Sequence, residues 1–310
     1  MTTATTEAPP RPAPTRRRRA REWTAIAFIA PLVIYLLLFY AYPLVANVSM
    51  SLHRFDRGTF VNGGAPFVGL DVYGEVVDNP RFWTVVRQTA AFTVASLAFQ
   101  YLLGLAAAVF FHRGGFRLAA PLRAALLIPW LLPIIVSGTT WQWMMNPDNG
   151  ILNAAFGVLG LDPVWWLSAD NALTSVTIVN IWLGIPFNLV ILYSGLQNIP
   201  KELYEAAAID GAGPWQQFRR ITLPMLRPVS LIALLLGLVY TLKVVDVIWI
   251  MTLGTGTSQT LATWAYGMAF GKGASGVIRY SEASAVGTVL LLVALAFGML
   301  YTAAQRKQEN

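Results

Sequence analysis

The chain has 310 residues, 56% hydrophobic and 12% charged, with a formal net charge of +7 and no cysteine. A soluble domain carries about 25% charged residues, so this composition points to a membrane protein. The missing cysteines exclude disulfides, a catalytic thiol and thiolate-held metal, and the two histidines, His53 and His112, are too far apart in sequence to suggest a histidine-rich metal site.

Residues 1–22 are rich in Thr, Ala and Pro and then in Arg: Arg11, Arg16, Arg17, Arg18, Arg19 and Arg21. Such a stretch cannot bury a core and is expected to be a disordered tail. Apolar runs follow at 23–48, 85–111, 122–145, 173–197, 229–253 and 283–303. Each supplies the roughly 20 residues needed to cross a bilayer. Each must be helical, because unpaired backbone groups cannot face lipid. The first run is too long for the core of a secretory signal and is expected to be retained. The expectation is an all-α membrane domain of six transmembrane helices over 23–303, with a short tail at 304–310.

Six spans put both termini on one side, and the basic residues choose it. With the N-terminus in the cytoplasm, the inside segments hold the arginine-rich tail, then Arg113, Arg117 and Arg123, then Lys201, Arg219, Arg220 and Arg227, then Arg306 and Lys307. This asymmetry accounts for the net charge as topology plus attraction to anionic lipid, and argues against nucleic acid as a partner. The outer segments, 49–84, 146–172 and 254–282, carry turn signals such as Asn62-Gly63-Gly64 and Asn146-Pro147-Asp148-Asn149-Gly150. Pro31, Pro43, Pro129, Pro133 and Pro186 lie within or beside spans, where prolines either kink helices around a pathway or are tolerated by packing.

The chain lacks a phosphate-binding loop. Gly267 to Gly273 contains Gly271-Lys272 but has one residue too few between the glycines and no Ser or Thr after the lysine. No G-x-S-x-G or H-E-x-x-H stretch is present either, so no catalytic residues and no ATP hydrolysis are expected. Ionisable residues inside spans are functional candidates by default. Lys243 and Asp246 are three apart in the fifth run, where a helix would place them on one face and let them pair. They can be a self-neutralising pair inside the bundle, part of the polar wall of a solute cavity, or both. Trp141, Gln142, Asn180, Trp182, Asn188, Tyr193 and Trp249 lie in the spans as well, and aromatic faces with amide partners suit a neutral polyol such as a sugar.

The longest polar interval of the second half is 199–228. Pro200 suits a first turn, with Glu202 and Glu205 near the positive end of a helix. Leu203, Ala206 and Ala207 share one face. Asp210-Gly211-Ala212-Gly213 breaks that helix, Pro214 opens a second with Trp215, Phe218 and Ile221 or Thr222 along one side, and Leu223-Pro224 is expected to end it. The product is a compact helical hairpin between two spans, on the cytoplasmic side.

Glu205-Ala206-Ala207, three residues, Gly211, nine residues and Ile221-Thr222-Leu223-Pro224 match every fixed position of EAA-x3-G-x9-I-x-L-P. This stretch resembles the EAA loop of membrane subunits from binding-protein-dependent ABC importers. Asp210-Gly211-Ala212 and Phe218 match the fuller form of the carbohydrate-uptake group. Phe67-Val68-Gly69-Leu70-Asp71-Val72-Tyr73, Trp141-Gln142-Trp143 with Pro147, Gly150 and Asn153, and Asp246 to Thr252 resemble further segments of that family. Where a G-G-G-P sequence normally follows, this chain has Gly254-Thr255-Gly256-Thr257. The outer-loop match and short C-terminal tail are similar to the first of the family's two membrane subunit types, which includes the larger membrane subunit of the maltose importer.

The resemblance implies a type I ABC importer permease fold in a bacterial or archaeal cytoplasmic membrane. It implies a sister permease, two cytoplasmic ATPase subunits that hold ATP and magnesium, and an extracellular or periplasmic solute-binding protein that delivers sugar. Glu205, Ala206, Ala207, Asp210, Gly211, Phe218, Ile221, Leu223 and Pro224 would couple to the ATPases. Gly211 would supply either a special backbone conformation or clearance. Trp182, Asn188, Tyr193, Lys243, Asp246 and Trp249 are the candidates for the solute pathway. The competing readings are an importer of another solute, a membrane glycosyltransferase and a non-transporting scaffold.

Overall fold

The computed structural model describes residues 15–113, 118–272 and 277–309, without the side chains of 15–25, 57, 113 and 304–309. Residues 1–14, including Arg11, lie outside the described residues, as do Arg117 and Gly273. The side chains of Arg16, Arg17, Arg18, Arg19, Arg21, Arg113, Arg306 and Lys307 do too.

Among the described residues the protein is all helix, with one isolated bridge between His53 and Phe67. It divides into two compact units, Met1–Ser49 and Met50–Asn310. The first contains α1 (Thr15–Leu36), a π-helical turn (Leu37–Ala41) and most of α2 (Tyr42–Ser51). Helix α1 starts inside the stretch expected to be a disordered tail. Arginine is a good helix former, and the apolar run behind it supplies a helix to extend. The apolar surface of this unit is exposed, Phe28 at 82% and Leu38 at 59%.

The second unit continues with α3 (Arg57–Asn62), α4 (Asp71–Asp78), α5 (Pro80–Arg113), α6 (Ala119–Leu131), α7 (Ile134–Met144), α8 (Ile151–Val158) and α9 (Ala172–Gln197). Then come α10 (Lys201–Ile209), α11 (Pro214–Gln217), a second π turn (Phe218–Thr222), α12 (Leu223–Leu242), α13 (Asp246–Thr252), α14 (Leu261–Phe270) and α15 (Tyr280–Glu309). Among the described residues, five helical stretches are long and apolar enough to cross a membrane: Ile26–Ser51, Pro80–His112, Ala172–Gln197, Pro214–Leu242 and Tyr280–Ala303.

Two of the expected spans are corrected. The third is not straight: α6 and α7 meet at 100° across Leu132-Pro133. Pro133 cannot donate to the carbonyl four residues back, and it restricts Leu132 to the extended conformation observed, φ −75° and ψ 140°. The fifth begins earlier and stops earlier than expected. Helix α12 ends at Leu242, and α13 begins after Lys243-Val244-Val245. Two successive β-branched residues weaken a helix at this point. Lys243 caps the C-terminal, negative end of α12, while Asp246 opens the N-terminal, positive end of α13. The expected ion pair between them does not form. The salt bridges among the described residues are Arg54–Glu75 and Arg279–Glu282. Each of these two charges suits its own helix end, and both are exposed.

The centre of this unit is α5 packed along α9. The Gln100 side-chain amide donates to the Asn180 carbonyl at 2.8 Å. A Cβ on Gly184 would collide with Gln100, and a Cβ on Gly104 with Asn188. Each glycine is therefore a notch for an amide side chain of the other helix, and small residues let the two backbones approach as they do in membrane bundles. Residue numbers rise together along the contact, so the two helices run parallel. Helix α12 runs antiparallel to α5, with the Tyr101 hydroxyl donating to Ser230 Oγ at 2.8 Å and Gly237 facing Leu97.

Among the described residues, three buried apolar clusters lie in sequence along this axis. One joins Val72, Val76, Phe82 and Val85 to Leu261, Trp264, Ala285 and Val286. The next centres on Phe92, Val176, Val179, Val247 and Ile248. The last gathers Leu105, Ala108, Phe111, Leu189, Leu192, Leu196 and Leu226, beside the 199–228 hairpin.

Replacing Gly104 by Ala is expected to destabilise the protein by about 1–3 kcal/mol through overpacking against Asn188. The same change at Gly74, whose Cβ direction is empty to 4 Å, is expected to be neutral or slightly stabilising. Thermal unfolding in detergent compares the two.

Candidate functional site

The 199–228 hairpin leaves α9 without a loop of its own: Ile199 is buried, and Pro200 caps α10 at φ −58° and ψ 133°. The proline therefore stands just before the first turn rather than within it. The turn that follows α10 is a Schellman closure. The Ala212 N–H donates to the Ala207 carbonyl at 2.8 Å and the Gly211 N–H to the Ala208 carbonyl at 3.0 Å. Gly211 sits at φ +79°, with nothing within 4 Å of where a Cβ would stand. Within this chain the glycine serves the conformation, since no atom of the chain competes for the space of a Cβ.

The second arm does not end at Leu223-Pro224 as expected. It widens into the π turn and continues as α12, so that hairpin and span are one helical stretch, Pro214–Leu242. The Leu223 N–H reaches back to the Phe218 carbonyl, five residues earlier. Pro224 has no N–H to give and its ring would press on the Arg220 carbonyl in a regular helix, and the widened turn relieves both defects. The same arrangement precedes Pro43, where the Tyr42 N–H reaches the Leu37 carbonyl.

The two arms are tied by a 3.0 Å hydrogen bond between the Tyr204 and Thr222 hydroxyls. The Gln217 side-chain amide also donates to the Ala212 carbonyl at 3.1 Å. The motif residues then divide by direction. Phe218, Ile221 and Leu223 pack, with Tyr204, against the last apolar cluster. Glu205, Ala206, Asp210 and Gly211 are exposed, Ala207 is half-buried, and Pro224 is exposed on the widened turn. Around the outward set lie large apolar groups that the motif does not specify: Ile209, 87% exposed, and Trp215, 71% exposed and stacked on Phe218 with ring centroids 5.6 Å apart.

The span residues predicted to line a solute pathway have separate surroundings within this chain. Trp182 pairs edge-on with Trp141 at 5.7 Å, and Trp249 with Tyr266 at 4.9 Å. Asn188 is buried at the Gly104 notch and donates to the Gly184 carbonyl at 3.0 Å. Tyr193 lies under the Arg123 guanidinium, 4.7 Å from its ring centre, at the hairpin end. Gln142 ties α7 to α13 by donating to the carbonyls of Ile250 and Met251 at 2.9 and 3.1 Å. Asn180 is buried with its carbonyl bound to Gln100. Asp246 stands exposed at the start of α13.

A cavity of about 530 Å³ opens instead between α5, α6, α9, α12 and α15. It is lined by Gln100, Trp130, Gly184, Phe187, Tyr240 and Lys243, with aliphatic neighbours. Trp130 and Phe187 meet edge to face at 6.3 Å. Lys243 is the residue that the sequence reading and this cavity share. The other polar and aromatic walls escaped it, although Thr89, Thr93, Ser96 and Gln100 recur at helical spacing along one buried stripe of α5. That polar periodicity inside an apolar run was the available signal.

The arrangement is that of a membrane transport subunit: long spans, a cavity between them and an exposed helical hairpin at one end. The chain belongs to the family of inner membrane components of binding-protein-dependent transport systems, whose pattern matches residues 100–309. It is 35% identical over 276 residues to the trehalose/maltose transport system permease protein MalF of Thermococcus litoralis, covering 88% of this chain and 90% of that one. It is 28% identical over 310 residues to the diacetylchitobiose uptake system permease protein DasB of Streptomyces coelicolor, covering 96% and 92%. Its fold is similar to a chain of a solved bacterial ABC transporter involved in the import of the acidic polysaccharide alginate. That match has a TM-score of 0.80 and 22% identity, over 94% of this chain and 98% of that one. The protein is thus a multi-pass ABC importer permease of the type I fold, a transporter subunit and not an enzyme.

Gly211→Ala is expected to loosen the turn by about 1–2 kcal/mol, the cost of a Cβ in the left-handed region. Gly211→Asn should cost less. Hydrogen exchange at the amides of Gly211 and Ala212, faster in the first variant than the second, checks this.

Proposed function

We propose that this chain is the membrane-spanning subunit of an ATP-driven carbohydrate importer, with both termini and the 199–228 hairpin in the cytoplasm. The observation that carries the reading is the complete EAA motif folded as a hairpin whose motif residues Glu205, Ala206 and Gly211 face outward beside exposed Ile209 and Trp215. A cytoplasmic ATPase subunit grips this face. Ala206 and Ala207 permit close approach, Ile209 and Trp215 fill apolar recesses, and Glu205 offers a carboxylate to a basic partner residue. ATP and magnesium belong to the two ATPase subunits.

The hairpin passes force into the bundle by two rigid routes, directly into α9 through Ile199 and into α12 through the π turn. The spans then alternate between an outward and an inward mouth around a pathway completed by a sister permease. A solute-binding protein delivers the load, as in the fold relative solved with an alginate pentasaccharide-bound periplasmic protein. Carbohydrate is supported by the relatives' names, trehalose/maltose and diacetylchitobiose. It is supported too by the cavity: Trp130, Phe187 and Tyr240 give flat faces for the C–H side of a sugar ring, and Gln100 and Lys243 give polar partners for hydroxyls. The pathway assigned here is that cavity, with Lys243 kept from the sequence-based set.

Two variants separate the sites. Ile209→Asp is expected to weaken ATPase association by about 2 kcal/mol, roughly 30-fold, and to stop uptake. Tyr240→Ala is expected to reduce uptake at least tenfold while the ATPase subunits still co-purify. Wild-type uptake in Ile209→Asp removes the docking role, and wild-type uptake in Tyr240→Ala removes the cavity from the pathway. Radiolabelled sugar uptake in cells and pull-down of the complex supply both readouts.

A further inference from the structure

At the end of the second unit remote from the hairpin, a cavity of about 620 Å³ lies between the segment after α2, helix α4 and the start of α15. Its walls include Arg54, Phe55, Glu75, Arg279, Ser281 and Glu282. The Ser281 hydroxyl holds the walls together, accepting from the Phe55 N–H at 2.8 Å and donating to the His53 carbonyl at 2.7 Å.

The charged groups here differ in how fully they are partnered. Arg54 is satisfied by Glu75, with Nη2 to Oε1 at 2.5 Å and Nη1 to Oε2 at 3.5 Å. Hydrogen bonding to Glu75, then its negative charge, raises the Arg54 pKa above its ordinary value. Asp56 is committed to capping α3, accepting from the Thr59 N–H at 2.7 Å and the Thr59 hydroxyl at 3.0 Å, which holds its carboxyl below the usual range. Arg279 is different. Its Nη1 comes only to 4.0 Å from Glu282 Oε1, and its Nε is buried with no hydrogen-bond partner. Its backbone is fixed by a 2.9 Å bond from its N–H to the Met268 carbonyl. A guanidinium carries five donors in a planar fork that matches a carboxylate two bonds at a time. Arg279 thus carries an under-used guanidinium on a held backbone, its side chain 36% exposed at the wall of the cavity.

We propose that Arg279 receives a carboxylate side chain of the solute-binding protein, which seats in this cavity when it docks. The proposal rests on the importer reading, since that reading brings such a protein to this end of the bundle. Glu282 is the chain's own competitor for the same guanidinium. It holds Arg279 loosely in the free transporter and gives it up on docking. Arg279 is accordingly a specificity residue for the partner, not a contact to the sugar.

The test uses the whole complex with its ATPases in nanodiscs, titrated with loaded, fluorescently labelled solute-binding protein at low and high salt. Arg279→Gln is expected to raise the Kd about tenfold or more and to flatten its salt dependence. Glu282→Gln, which frees Arg279, is expected to lower the Kd, an outcome that a merely structural role for these residues does not produce. Unchanged co-purification and basal ATPase activity show that both variants assemble. Wild-type Kd and salt slope in Arg279→Gln overturn the proposal. So does displacement of the binding protein by free glucuronate from wild type but not from Arg279→Gln, which would assign the fork to a solute carboxylate. Failure of the importer reading itself shows separately, as absence of ATPase subunits from the purified complex.

Discussion

The interlock of α5 with α9 is the constraint on which the rest of the second unit depends. Two glycines on opposite helices each make room for the other helix's amide side chain, Gly184 for Gln100 and Gly104 for Asn188. The Gln100 amide closes the contact on the Asn180 carbonyl. Inside a bilayer there is no water to compete for such groups, so a satisfied amide at this depth also fixes register. With α9 held in register, the hairpin that follows it is held too, because Ile199 is buried and Pro200 begins the next helix at once.

The hairpin is a part with two sides. Phe218, Ile221 and Leu223 face the bundle and share a core with α5 and α9. Ile209 and Trp215 face away, 87% and 71% exposed. A lever needs this division, since a force taken up on an exposed face reaches the bundle only through a face that does not slip. The Tyr204–Thr222 hydrogen bond ties the two arms to each other.

Much of this was legible in the residues. The motif at Glu205, Gly211 and Leu223-Pro224 located the hairpin, and the apolar runs located most spans. What failed did so for identifiable reasons. Lys243 and Asp246 read as a pair only on the assumption of one continuous helix, and Val244-Val245 ends that helix between them. Leu223-Pro224 read as a stop because a regular helix cannot absorb that proline, whereas a widened turn can. The walls of the cavity were not legible as a group, because a list of polar and aromatic groups carries no information about which helices become neighbours. Trp130 and Tyr240 lie far apart in sequence and share a cavity because α6 and α12 both pack on α9. Gln100 was within reach, on the polar stripe that begins at Thr89.

The widened turn at Phe218–Thr222 has a geometric effect beyond accommodating Pro224. A regular helix advances about 100° per residue, so one extra residue in a turn rotates everything beyond it by about that amount. The face that α11 turns outward and the face that α12 shows to the bundle are therefore out of phase with a single uninterrupted helix. Trp215 and Tyr240 belong to one helical stretch, yet their directions are set independently on either side of this point. A proline at this place is a phase shifter: it lets one length of helix be read by two different surroundings, each along its own stripe.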